Sequence, residues 1–291
     1  MTDFFTSLLN PNFSFLRNAL IAGLLSSVLF GVLGSVVTVR RIAGLAGAIS
    51  HAVLGGIGMA LFFSVTGAVP WLTPMMGALV FAVLAAAIIG AVSLKAKQRE
   101  DTVINAIWAI GMSVGVLFMA KTPCYTDPTS FLFGNILLVS TKDLYLLAGL
   151  DAIVVFLAWK FHPQIVASSF DPDFARVRGI RTNAFFLAIL TVTAISVVLL
   201  QTFVGIVMVI AMLTLPAGTA GYGAKNLAGM MVGACVFSAV FSVTGLATSW
   251  ALDIPAGATT VVIAGIAFLC GAAIHSIARK RAKVRDGGAA K

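Results

Sequence analysis

Long apolar runs, separated by short polar breaks, make up most of the chain. They cover residues 18–38, 45–63, 75–94, 103–120, 144–159, 184–200, 205–221, 227–245 and 257–277. A helix that crosses a bilayer needs about 20 apolar residues, with a usual range of about 17 to 25. The runs therefore predict nine transmembrane helices. Eight remain an alternative, because residues 202–204 separate the sixth and seventh runs only weakly.

Two further segments do not fit the pattern of full crossings. Residues 1–16 are short and rich in Phe, which favours a position along the membrane interface. Residues 121–142 form a loop that contains Cys124, Asp127 and the apolar island FLFGNILLV. We expect the island to form a short re-entrant or interfacial helix.

The most polar interior segment, residues 168–183, reads SSFDPDFARVRGIRTN and lies between two runs. It has the signals of a short helix: Asp171 suits the N-cap and Pro172 the first turn. Asp173 lies near the positive end of the helix dipole, and Gly179 is a natural C-terminal stop. The segment also carries basic residues towards the negative end of the dipole, namely Arg176 and Arg178.

One face of this predicted helix is apolar, since Phe170, Phe174 and Val177 recur at helical spacing. A surface helix that exposes an apolar face is suited to docking against a partner. An ordinary amphipathic loop is the alternative interpretation.

Composition supports a membrane protein, because 60% of the residues are hydrophobic, 10% are charged, and the mean hydropathy is +1.06. About a quarter of the residues in a soluble chain are charged. The net charge of +9 does not indicate a nucleic-acid groove, since the basic residues are scattered between the apolar runs. Three cysteines, Cys124, Cys235 and Cys270, are too few and too scattered to predict a disulfide framework.

The basic residues predict the orientation. All but three of the 19 Lys and Arg residues lie on the side of residues 168–183, and the exceptions are Arg17, Lys121 and Lys142. Positive loops face the cytoplasm. We therefore expect the polar segment and the C-terminus to be cytoplasmic, with the N-terminus outside if there are nine crossings and inside if there are eight.

The second run is unusually rich in glycine around a polar pair, Ser50 and His51. Its glycines suit a helix that packs closely on a partner or lines a path, and include Gly47, Gly55, Gly56 and Gly58. His51 is the one histidine well inside a run. An ionisable residue inside a membrane suggests a functional site, and imidazole is a common metal ligand. The alternative is a histidine that is hydrogen-bonded to a neighbouring helix.

Two acidic residues and one proline are further candidates. Asp151 lies within the fifth run, where it could serve a metal pathway, form a helix-packing hydrogen bond, or lie nearer the interface. Asp253 lies in a predicted external turn, where its carboxylate could cap a helix, contact a docked partner or attract a cation. Pro216 is expected to bend or break the seventh run, and broken helices often line transport paths.

Several blocks in order carry a resemblance to a known family. They are RRIAGLAGAISHAVLGGIGMAL, DTVINAIWAIGMSVGVLF, TSFLFGNILLVS, FDPDFARVRGI, VGIVMVIAMLTLPAGTA and LDIPAGAT. Over residues 17–277 the chain resembles the permease subunits of ABC-type zinc, manganese and iron importers. One departure stands out: the better-known members have an Asp four residues before the histidine, where this chain has Gly47.

The resemblance implies an all-α polytopic membrane fold of the type II ABC importer kind, with eight or nine crossings and a cytoplasmic coupling helix. It implies one permease domain over residues 1–291, with a membrane core at 17–278, a coupling segment at 168–183 and a basic tail at 279–291. It also implies a bacterial inner-membrane location. The chain would not be an enzyme, and its sequence contains no G-x-x-x-x-G-K-[ST] loop.

The resemblance also assigns roles. Two copies would form the pore in the lipid membrane, and an ATPase dimer would hold the coupling helix through Asp171, Pro172, Asp173, Phe174, Ala175, Arg178 and Gly179. An external metal-binding protein would deliver the ion near Asp127 and Asp253. The pathway would involve His51, Ser50 and Asp151, with Gly47, Gly55, Gly56, Gly58 and Pro216 in pore and gate packing. The metal would be a transient substrate, with no permanently bound cofactor and no nucleic-acid partner.

Two other classes remain open at this point. A secondary metal or proton-coupled transporter would use the same histidine but needs membrane-embedded acids, of which only Asp151 is a candidate. A vitamin B12 or siderophore importer permease shares the coupling helix but has no need of a buried Ser-His pair. The sequence leaves zinc, manganese and iron open.

Overall fold

The computed structural model describes residues 2–9, 13–95, 100–123, 132, 134, 136 and 139–288. Within these residues the fold is all-α, as predicted, and contains no strand. The helices are α1 Thr2–Leu9, α2 Ser14–Val39, α3 Ala43–Val65, α4 Pro74–Lys95, α5 Glu100–Lys121, α6 Thr141–Lys160, α7 His162–Phe170, α8 Pro172–Val177, α9 Thr182–Val204, α10 Ile206–Gly221, α11 Leu227–Leu252 and α12 Ala256–Gly288.

Among the described residues, seven helices are long and apolar enough to cross a membrane: α2, α3, α4, α5, α9, α11 and α12. Helices α6 and α7 give an eighth crossing if the pair counts as one span, with a bend of 68° between them. By length and composition alone the count in the described part of the chain is therefore seven or eight, against the nine expected. The expected ninth, over residues 205–221, is the shorter helix α10, which has 16 residues.

Two sequence boundaries differ from those we expected. Ser168 and Phe170 do not begin the coupling segment, because they belong to the preceding helix α7. Helix α10 also runs through Pro216 without a break. The interruption falls instead at Gly205, which has φ +85° and separates α9 from α10. Glycine adopts this left-handed region without the steric cost that a side chain would bring.

The centre of the bundle consists of α2 and α3. Helix α2 packs mainly on α6, α10 and α11, and α3 packs mainly on α4, α5, α9 and α10. Both helices have largely buried surfaces, while most of α5 and α12 is exposed. Small residues make this arrangement possible, because they let helix backbones approach closely.

The contact between α3 and α5 is built from glycines on both helices. A Cβ added at Gly58 would meet the backbone of Gly115, and one added at Gly111 would meet the backbone of Ala52. Gly111 and Gly115 form a G-x-x-x-G pair on α5, so one side of that helix lies directly against α3. This packing fixes the two helices that carry the candidate site.

Candidate metal pathway and coupling segment

His51 lies in α3 and stacks on Trp108 of α5, with ring centroids 4.4 Å apart and an angle of 11° between the planes. The histidine is only 8% exposed, whereas Trp108 is 41% exposed. The Nδ1 atom of His51 is buried and has no hydrogen-bond partner among the described residues. The stack therefore holds the imidazole by one face and leaves this ring nitrogen without a partner in the described part of the chain.

Ser50, next to His51, is fully buried, and its hydroxyl donates a 2.9 Å hydrogen bond to the carbonyl oxygen of Ala46. This bond uses the hydroxyl proton within α3 itself. The lone pairs of the oxygen remain available, since a hydroxyl can accept as well as donate.

Two glycines in the part of α3 before His51 border open space, although neighbouring side chains such as Leu45 and Ile49 are buried. A Cβ added at Gly44 or at Gly47 would meet nothing within 4 Å. Gly47 lies four residues before His51, and residues at this spacing lie on the same side of a helix. The position where the resemblance places an Asp in other permeases thus has room for a side chain, and this chain puts none there.

The other glycines predicted for the pore or gate pack against neighbouring helices. A Cβ at Gly55 would meet Gly111 and Phe81, and one at Gly56 would meet Gly77 of α4. Together with Gly58, these residues hold α3 against α4 and α5 rather than bordering open space. Gly47 therefore differs in environment from the rest of the set.

The predicted acidic residues do not join His51. Asp151 lies on α6, is buried, and has no hydrogen-bond partner for either carboxylate oxygen among the described residues. It is close enough to Cys235 of α11 to interact with it electrostatically. Asp253 is an exposed residue that ends α11 in the left-handed conformation, with φ +54°. Asp127 lies outside the described residues.

Within the described part of the chain, no three His, Cys, Asp or Glu side chains are placed to hold a metal ion. The structure brings together His51, Ser50 and the open turn at Gly47. It places Asp151 and Asp253 on other helices. The chemistry available at the α3 site is that of an imidazole nitrogen, hydroxyl and carbonyl oxygens, and water.

The coupling segment contains the predicted short helix, α8, with both of its expected ends. The carboxylate of Asp171 accepts a 2.9 Å hydrogen bond from the Phe174 N–H, and Pro172 is at the first helical position. At the other end Gly179 has φ +81°, and its N–H donates to the Arg176 carbonyl while the Ile180 N–H donates to the Ala175 carbonyl. These two bonds form a Schellman motif.

Helix α8 is anchored at one residue and exposed elsewhere. Ala175 is fully buried, whereas Phe174 and Val177 are exposed, Val177 by 88%. Asp173 and Arg176 form a 3.1 Å ion pair, and the Arg178 guanidinium lies 4.9 Å from the centre of the Phe174 ring. The apolar face predicted for docking is thus on the surface of the described structure.

Arg40 connects the central helices to this segment. Its guanidinium donates a 3.2 Å hydrogen bond to the Ser168 carbonyl of α7 and lies over the Phe186 ring of α9. It borders a cavity of about 150 Å³ that also contacts Pro172 and Arg176. Burial lowers the pKa of Arg40, yet arginine stays charged in proteins.

Sequence reasoning missed Trp108, the glycine pair on α5 and the role of Arg40. The spacing G-M-S-V-G at residues 111–115 was a usable signal for close helix packing. No sequence signal links Trp108 to His51, because the contact joins different helices. The same holds for Arg40 and Ser168, which are 128 residues apart in the chain.

The sequence profile of the ABC 3 transport family matches residues 12–275. The chain belongs to this family. It is a multi-pass membrane component of an ABC metal transporter, and as a transport subunit it is not an enzyme. Membership in an ABC family implies a separate ATPase and a substrate-binding protein as partners.

Relatives of this ABC 3 chain match over most of their length. An uncharacterised membrane protein of Synechocystis is 36% identical over 258 residues, 88% of this chain and 89% of that protein. The manganese transport system membrane protein of Listeria monocytogenes is 33% identical over 257 residues, again 88% and 89%. The solved structure of PsaBC from Streptococcus pneumoniae in complex with Fab aligns with a TM-score of 0.81 and 30% identity, covering 93% of this chain and 94% of that one.

Proposed function

We propose that this chain is the pore-forming permease of an ATP-driven importer for divalent transition-metal ions. Two copies would enclose the pathway, and an extracytoplasmic binding protein would deliver the ion. The observation that carries the proposal is His51, whose buried Nδ1 has no partner among the described residues and lies beside an open turn of α3, in a member of the ABC 3 family. A neutral imidazole nitrogen is a ligand for zinc, manganese or iron.

The geometry of α3 and α5 supports a pathway near the surface where a second copy could pack. His51 is covered by Trp108, and Trp108 is itself partly exposed on α5. A second copy placed against this face would bring two such histidines towards a common axis. The ion would be held transiently, which suits a pathway because a site that binds too tightly does not release.

The coupling segment is proposed to bind the ATPase. Helix α8 has hydrogen-bonded caps at both ends and an exposed apolar face, and Arg40 hydrogen-bonds the adjoining helix α7 to the end of α2. The placement of this segment and the C-terminus in the cytoplasm rests on the distribution of Lys and Arg. A bacterial inner membrane is the corresponding location.

The name of a relative and the ligands at the α3 site favour different metals. The Listeria relative is a manganese transport protein by name, which makes manganese the first metal to test. The ligands at the α3 site favour zinc or iron(II), because Gly47 removes a carboxylate and manganese is better served by oxygen ligands. Uptake of all three metals should therefore be measured in parallel.

The test is metal accumulation in a deletion strain that expresses His51→Ala. We expect uptake to fall to the level of the empty strain while the protein remains inserted, because the imidazole is lost. The matched control is His275→Ala, since His275 also contacts an aromatic ring, that of Tyr222 at 5.1 Å. Normal uptake in a stably inserted His51→Ala variant would exclude His51 from the pathway.

A second variant tests the open turn directly. Gly47→Asp adds a carboxylate where a Cβ has no neighbour within 4 Å, so the side chain should fit. We expect the purified variant to retain more metal on dialysis and to prefer manganese more strongly than the parent protein. Unchanged retention for all three metals would contradict a metal position beside His51.

A further inference from the structure

A large apolar cavity lies between α2, α6, α7 and α9, away from the His51 site. Its volume is about 370 Å³. Val32, Leu33 and Val36 of α2 are buried and form its floor, while Ala184 and Ala188 of α9 are exposed at its opening. The opening therefore faces the side of the bundle, between α6 and α9.

The cavity follows α9 over a length that matches one membrane leaflet. Its lining includes Arg181 at one end of this stretch and Val192 at the other. At a rise of about 1.5 Å per residue the stretch is about 16 Å long. Half of the hydrocarbon core of a bilayer is about 15 Å thick. An acyl chain that lies along the cavity would thus stay within its own leaflet.

Positive charge is confined to one end of this cavity. Arg181 is the charged residue among the described residues that line it, and the rest of the lining is apolar. Lys160 lies 5.8 Å from the ring centre of Phe161, which packs edge-on against Phe185 at the same end. No described acidic residue forms a salt bridge with Arg181.

An exposed tryptophan indicates that the membrane–water boundary is at this end of the cavity. Trp159 precedes Lys160 and is 76% exposed at the end of α6. Tryptophan is enriched where the headgroups meet the hydrocarbon core. We therefore expect the two cations to lie at the level of the lipid phosphates and the apolar lining at the level of the acyl chains.

We propose that this cavity is a binding site for an anionic phospholipid of the leaflet on the side of the coupling segment. One acyl chain would lie over the α2 floor formed by Val32, Leu33 and Val36, and the phosphate would contact Arg181 and Lys160. Basic pockets between transmembrane helices are a known mode of binding anionic headgroups.

The bound lipid would contact the helix that leads into the coupling segment. Ile165 of α7 is buried and lines the cavity, just beyond the 68° bend between α6 and α7. Helix α7 ends at Phe170, and α8 begins at Pro172. An acyl chain in the cavity would therefore support α7 from the membrane side and limit its movement relative to α2.

The experiment uses the full-length protein in lipid nanodiscs that contain phosphatidylglycerol with a photoreactive group on its acyl chain. Mass spectrometry then identifies the labelled peptides. We expect labelling to concentrate on residues 154–165 and 181–192. Labelling spread evenly over all exposed helices, including α5 and α12, would show ordinary surrounding lipid and overturn the proposal.

Two variants test the cavity itself. Ala188→Phe should fill the opening and remove the concentrated labelling, whereas Ala152→Phe, on an exposed part of α6 outside the lining, should leave it unchanged. Ala184→Leu is a smaller change with the same expected result if Ala188→Phe does not fold. Retained labelling in a folded cavity-filled variant would contradict the proposal.

A third variant tests the headgroup. Arg181→Gln should lower the preference for phosphatidylglycerol over phosphatidylcholine about fivefold, because it removes one cation that attracts the anionic headgroup. Arg17→Gln, outside the cavity, is the control. An equal preference for the two lipids in the parent protein would overturn the headgroup assignment. These readouts do not depend on metal uptake, so they are separate from the test of His51.

Discussion

The same substitution at two glycines of α3 should change stability in opposite directions. At Gly47 an added Cβ meets nothing within 4 Å. At Gly56 it would lie 2.9 Å from Phe81 Cβ and 2.6 Å from the carbonyl carbon of Gly77. Ordinary contacts between carbon atoms are about 3.5–4.0 Å. Gly56→Ala therefore requires α3 and α4 to separate by about 1 Å.

The expected magnitudes follow from helix propensity and packing. Alanine is favoured over glycine in a helix by about 1 kcal/mol, and Gly47→Ala should gain this amount because nothing opposes it. At Gly56 the same gain is set against an overpacking cost of about 1–3 kcal/mol. Because the obstacle at Gly56 includes backbone, we take the upper cost of about 3 kcal/mol, so Gly56→Ala loses about 2 kcal/mol of stability. The free energies of unfolding of the two variants then differ by about 3 kcal/mol. This corresponds to about 6 °C in Tm at about 2 °C per kcal/mol.

The assay is thermal unfolding of the purified protein, followed by intrinsic fluorescence. Gly44→Ala is the control, since its Cβ also has no neighbour within 4 Å and it should match Gly47→Ala. A Gly56→Ala variant as stable as the parent would refute the close packing of α3 on α4. A destabilised Gly47→Ala variant would show that the turn before His51 is filled in the assembled protein.

Three further predictions concern coupling, topology and the buried acid. Asp171→Ala combined with Gly179→Leu removes the N-cap of α8, worth about 1 kcal/mol, and its left-handed C-terminal residue. ATP hydrolysis should then continue without metal uptake. Normal uptake would contradict the docking role. A cysteine at Ala256 should react with an impermeant thiol reagent from outside and one at Ala282 should not; the reverse result would overturn the orientation. Asp151→Leu should raise Tm by a few degrees, because an unpartnered buried polar group costs about 1–3 kcal/mol; a lower Tm would indicate a partner for the carboxylate.

Local chemistry was enough to predict most of the crossings and the ends of the coupling helix. Hydropathy identifies α2 to α5 because a membrane span must be apolar over its whole length. The ends of α8 follow from Asp171 and Gly179, whose side-chain and backbone preferences act within a few residues. These features do not depend on which helix packs against which.

The features that the sequence did not predict depend on contacts between distant segments. The bend between α6 and α7 places Ser168 and Phe170 in α7, although they read as part of the polar segment. Pro216 predicts a bend or a break in the seventh run, but α10 continues through it and the chain is interrupted at Gly205 instead. The stack of His51 on Trp108 likewise needs α3 and α5 to be adjacent.

Two stretches of α3 differ in how closely the backbones of other helices approach their glycines. Gly55, Gly56 and Gly58 press one part of the helix against the backbones of α4 and α5. The part near Gly44 and Gly47 has open space beside it and follows closely after Arg40, which is bonded to α7. From Ala43 to His51 is about 12 Å along the helix. His51 lies between these two stretches, so a displacement of the coupling segment that passes through Arg40 is expected to reach His51 before it reaches the glycine contacts with α4 and α5.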